Sequence, residues 1–214
     1  GGLLEVSDVS SLSAEVTSGG TTKLTGALDD LTLLSSGETE VTELDDLLVK
    51  RMEVFAGSLD MIIGGNLSLD SARIGKDVTL LVTDSANVSD LEVSSGSLSL
   101  TVGGNLSATL AKASANATLK VGGTGVVEKL SAGTNLSIET GGLLEVSDIL
   151  GQSAMVTSGG TTKLSGALED LTLLSSGDAE VTELDDLLVN SLEVAQGSLS
   201  LTVGGNLSAT LAKA

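Results

Sequence analysis

Residues 96–110 read GSLSLTVGGNLSATL. Leu98, Leu100 and Val102 alternate with Ser97, Ser99 and Thr101, and a period of two places one set on each face of a β-strand. Gly103, Gly104 and Asn105 then interrupt the alternation. Glycine reaches backbone conformations closed to other residues, and asparagine suits turns, so the triplet marks a corner between two strands. The unit recurs: residues 91–113 match 192–214 at 21 of 23 positions, and residues 1–74 match 141–214 at 51 of 74. A third match pairs MEVFAGSLDMIIGGNLS from Met52 with LEVSSGSLSLTVGGNLS from Leu91. The offsets of 101, 140 and 39, taken as five, seven and two units, share a period of about 20 residues, the mark of a solenoid.

Glycine marks at residues 1, 19, 37, 57, 75, 96, 122 and 141 divide the large unit into seven rows. The sixth is long, carrying eight further residues, SANATLKV, which an outward loop or an extra half-turn would absorb. Rows holding two or three short strands with glycine corners predict an all-β chain, a parallel β-helix of roughly ten to eleven coils and about 20 residues per coil. Residues 1–140 form a seven-coil unit in this reading, and 141–214 begin a second copy continuous with it. The segment TELDDLLV from Thr42 competes as a helix, but it is short and flanked by alternating strands, which assigns it to a turn and strand. Leucine-rich repeats share the row length, yet the Asn of GGNLS precedes its strand instead of following a leucine run. Neither end carries a legible cap, so the expectation is a window from a longer array, or a subunit whose ends are covered by copies of itself.

The chain lacks Trp, Tyr, His, Cys and Pro, and Phe55 is its one aromatic residue. A hydrophobic fraction of 41% argues against disorder and for a thin aliphatic core. Ten basic against 29 acidic residues give a net charge of −19, which repels nucleic acid and anionic membrane surfaces and attracts divalent cations loosely. No apolar run is long enough for a membrane span. A signal peptide, if one exists, lies outside these residues.

Without His or Cys, the commonest general bases and nucleophiles are missing, and no catalytic residue, cofactor or dedicated metal site is expected. The acidic pairs Asp29–Asp30, Asp45–Asp46 and Asp185–Asp186 read as solvated turns. Glu38, Glu40 and Glu43, with Glu180 and Glu183, read as a charged outer face able to hold Ca2+ weakly. GGTGVVEKL from Gly122 lacks the Asp of the calcium-binding nonapeptide, and neither GGTG nor GGNLS has the Lys or helix of a phosphate loop. Asn66, Asn87, Asn105, Asn116, Asn135 and Asn206 lie in N-x-S/T sequons; they read as corner residues or as glycosylation sites. TTKLTG from Thr21 and TTKLSG from Thr161 do not propagate into the threonine face that ice binding requires.

GSLSLTVGGNLSATL, with its Gly-Gly corners and alternating Leu and Ser, resembles the rod of filamentous-haemagglutinin-like exoproteins, large bacterial adhesins exported by two-partner secretion. The resemblance implies a right-handed parallel β-helix, an extracellular or cell-surface location, no catalytic residues and an adhesive or scaffolding role. The Asn-Pro motifs of that family's secretion domain have no counterpart in a chain without Pro. Two roles follow: the rod of a surface adhesin that meets a host or neighbouring cell, or a subunit of an extracellular filament that self-associates along its axis through uncapped coils. A carbohydrate-active enzyme is a third role, poorly served by a chain with one aromatic ring.

Overall fold

The structure, a computed structural model, describes residues 2–213, with the side chains of Ser11 and Ala212 left aside. It is all-β: parallel strands wind into a solenoid of about 11 turns, about 19 residues apart, with no helix. The alternation reads directly into the coil. In Leu98–Val102 the two serine and threonine positions face outward while Leu98, Leu100 and Val102 are buried.

A regular coil has a straight strand of five residues, a corner, a strand of eight, and a second corner. Leu59–Ile63, Val78–Val82, Leu98–Val102 and Ala117–Val121 are straight strands. Ala86–Val93 and Leu106–Ala113 are eight-residue strands that bend at mid-length, where two consecutive residues, Ser89–Asp90 or Thr109–Leu110, point away from the core. Each strand lies in register on its equivalent one coil away. One interior column runs Leu24, Val41, Met61, Leu80, Leu100, Leu119, Ile138, Val156, Leu173, Leu192. All ten are buried, and burying each such side chain contributes about 1.5–3 kcal/mol. Phe55 stands at a corner, 63% exposed, so the core holds no aromatic ring.

The segment from Thr42 is strand, corner and strand: Thr39–Glu43 ends, residues 44–46 turn, and Leu47–Val54 begins. The additional residues SANATLKV form the strand Ala117–Val121, the extra half-turn rather than the loop. The ladder climbs from Leu4 through Thr22, Thr39, Leu59, Val78, Leu98 and Ala117 to Leu136 in seven coils. Leu144, the counterpart of Leu4, lies half a coil further on, beside Gly125 in the other stack. The 140-residue repeat is therefore seven and a half coils, where counting glycine marks gives seven. The marks change corner after Gly96, so the row from Gly96 to Gly122 holds a coil and a half.

Each copy opens with two long strands that lack one corner: Leu4–Ser18 and Thr22–Ser35, then Leu144–Ser158 and Thr162–Ser175. In the first strand of the second copy residues point outward at Ser147–Asp148 and again over residues 150–153; in the next only Glu169–Asp170 do so, with Asp170 in register on Ser153. The register slips between Val146 and Ile149 to accommodate this, as it does between Val6 and Val9. Gly26 and Gly166 stand at the slip. A Cβ there would collide with the carbonyl oxygens of Val9 and Ile149. After the long pair, the straight strand Ala179–Glu183 rests on residues 162–166 and the bent strand Leu187–Val194 on 170–175. The straight and bent sides of the rod have changed places.

Candidate functional surface

One edge of the rod carries a side-chain hydrogen-bond ladder. The backbone N–H and Nδ2 of Asn66 donate to Asp46 Oδ1 at 2.7 and 3.1 Å. Ser85 N–H donates to Asn66 Oδ1 (3.1 Å), Asn105 N–H to Ser85 Oγ (3.1 Å), and Thr124 N–H to Asn105 Oδ1 (2.8 Å). Five successive corners are thus stitched by the small polar residues that follow each Gly-Gly or equivalent pair. The second copy begins an equivalent ladder on the opposite edge with Asn206, which donates to Asp186 Oδ1 at 2.6 and 3.1 Å. On that edge as well, Asn116 Oδ1 accepts from Thr134 Oγ1 (2.8 Å), from Asn135 Nδ2 (3.0 Å) and from Asn135 N–H (3.3 Å).

Beside the ladder runs an open groove of about 1070 Å³. Its other wall is the outward row Leu48, Ser68, Asn87, Ser107 and Val126, in register across five coils. Asp29 and Asp46 place negative charge at one end, and the remaining polar groups are amides and hydroxyls. Such a surface offers hydrogen bonds at ladder spacing, about 4.8 Å apart.

The sequon asparagines separate into two settings. Asn66, Asn105, Asn116 and Asn206 are corner residues, whereas Asn135 starts a strand and Asn87 stands exposed within one. Asp45–Asp46 and Asp185–Asp186 occupy corners, as expected. Asp29–Asp30 does not. It lies inside the strand Thr22–Ser35, at the bend, and Asp30 Oδ2 pairs with Lys50 Nζ at 2.8 Å.

The glutamates also divide. Glu40 pairs with Lys23 at 3.0 Å, Glu38 accepts the N–H of Ser58 at 2.8 Å, and Glu180 is exposed. Glu43 and Glu183 are instead interior, each 2% exposed, which corrects their assignment to the outer face. Glu43 Oε2 accepts the N–H of Leu28 (2.8 Å) and Oε1 that of Leu44 (2.9 Å). Glu183 takes Leu168 and Leu184 in the same way, both at 3.0 Å. Each carboxylate fills the place where a coil without a corner meets one with a corner, and it shares the Leu44 and Leu184 amides with the carbonyls of Gly26 and Gly166, at 3.2 and 3.0 Å. Burial pushes the Glu183 carboxyl above the ordinary glutamate range; N–H donors from Leu168, Leu184 and Asp185 oppose this, and the nearby Asp185 carboxylate adds to it. Glu43 was legible in one respect, since it shares the inward phase of Thr39 and Val41.

Among the described residues, eight cations form ion pairs with surface acids: Lys23, Lys50, Arg51, Arg73, Lys76, Lys112, Lys129 and Lys213. Such exposed pairs contribute about 0–1 kcal/mol each. Among the described residues no three carboxylates converge as an ion-binding group, and no helix is long and apolar enough to cross a membrane. No protein-family model, curated protein or solved structure matches the chain.

Proposed function

We propose that this chain is a structural rod of an extracellular bacterial surface adhesin or fibre, supplying length, stiffness and display. The observation that carries this reading is the unbroken parallel ladder through both sequence copies, with each coil contacting only its neighbours. In such a body length scales with the number of coils, and stiffness comes from continuous backbone hydrogen bonding along the axis. Small-angle scattering tests the rod: a cross-section constant along a length of about 50 Å supports it, and a compact, near-spherical profile overturns it. Location has its own test, since protease or antibody applied to intact source cells should reach the chain at the surface, and protection until lysis would refute an extracellular role.

A second reading is a subunit of a self-assembling extracellular filament that stacks end to end. The in-register parallel stacking, in which every coil offers the next the same backbone edge, favours it. Sedimentation would then reveal concentration-dependent growth along one axis, whereas a monomer at high concentration sinks this reading. The acidic surface would bind Ca2+ weakly and without fixed stoichiometry; a saturable, tight calorimetric isotherm would contradict that.

A further inference from the structure

The chain is assembled from two kinds of segment. Over the first 49 positions of the large duplication, 40 are identical between the copies, against 11 of the last 25. The last stretch, 192–214, instead matches 91–113 at 21 of 23. Residues 1–49 and 141–189 are therefore one module, containing the long strands, Gly26 or Gly166, and Glu43 or Glu183. Residues 52–74, 91–113 and 192–214 are another, which adds regular coils.

The molecule holds its own control for what the first module does. Between 52–74 and 91–113 no such module intervenes, and their straight strands Leu59–Ile63 and Leu98–Val102 lie in one stack, two coils apart. Between 91–113 and 192–214 lie residues 114–140, through which Ala117–Val121 and Asn135–Thr140 keep the straight stack and Gly125–Ala132 the bent one, and then the module 141–189. Leu199–Val203, the near-identical twin of Leu98–Val102, then stands in the other stack.

We infer that residues 141–189 are a facing switch: a built-in device that inserts half a coil and turns whatever surface the following coils carry to another side of the rod. Its working parts are the bend at Ser147–Asp148, lost at the register slip while the outward stretch ending at Ser153 is kept as Glu169–Asp170, the absent side chain at Gly166 that lets the register slip, and the Glu183 carboxylate that accepts from Leu168 and Leu184 where the new corner starts. The corner of Asn105 and its twin at Asn206 are thereby displayed on different edges, so one surface chemistry serves two directions.

The absence of native cysteine allows a direct test with paired spin labels in the full chain. Ser107, Val126, Glu145, Lys163, Glu180 and Ser200 form one outward column. Labels at S107C and S200C should lie five ladder steps apart, about 24 Å. Labels at the sequence twins S99C and S200C should lie further apart, because the width of the rod adds to a similar axial rise. The inverse order, with the twins at five ladder steps, or equal distances for both pairs, overturns the switch.

Discussion

At the scale of single residues, the buried glutamates set the sharpest expectations. Glu43→Ala removes an acceptor of the Leu28 amide, while Leu44 N–H keeps the Gly26 carbonyl at 3.2 Å, and an orphaned buried group costs about 1–3 kcal/mol. Chemical denaturation should show a loss of that size, with Glu43→Gln milder because one oxygen remains; an unchanged midpoint for the alanine variant would refute the role. Glu183 adds a pH signature. Its folded-state pKa is raised, so the stability it contributes is present below the unfolded value and is lost as pH climbs through the folded one. Denaturation midpoints of the wild type should therefore fall across that interval relative to Glu183→Gln, and parallel pH profiles for the two would disprove it. Gly26→Ala places a Cβ against the Val9 carbonyl and should cost about 1–3 kcal/mol, while Gly19→Ala, with open space around it, should leave thermal stability unchanged.

Among the elements, legibility followed the physics of alternation. Period-two patterning named the strands, as in Leu98–Val102, because a half-buried strand must place every second residue inside. It did not reveal which corner a glycine occupied, since Gly-Gly marks both edges alike, and the coil count of the repeat was misjudged for that reason. Asp29–Asp30 looked like a turn because two acids in succession break the alternation. A bend within a strand breaks it identically. The interior place of Glu43 was visible in its phase and obscured by its charge; only the mismatch of neighbouring coils, a tertiary fact, explains why a carboxylate belongs there. The corner ladder follows the same distinction. Asn66→Ala should cost about 1 kcal/mol by removing the Nδ2 bond to Asp46 and the acceptor of Ser85 N–H, and Asn87→Ala, exposed in mid-strand, should fall within experimental error by thermal melting. Equal effects would deny the ladder its stabilising part.

For the whole molecule, the acidic surplus and the thin core act together. Ion pairs occupy most of the cations and leave a charge of −19 distributed over the rod. Self-repulsion of that surplus is screened within a Debye length of about 10 Å at 0.1 M salt. The melting temperature should rise with added sodium chloride, and a fall would mean that the exposed pairs outweigh the repulsion. The modular build has a consequence for heredity. Repeated stretches invite unequal recombination, and the outcomes differ in kind. Exchange between the stretches beginning at Met52 and Leu91 gains or loses 39 residues, two whole coils, and leaves every downstream surface facing as before. Exchange between 91–113 and 192–214 removes 101 residues and the half-coil step with them, so a single crossover can lengthen this rod or reverse what it shows to its surroundings.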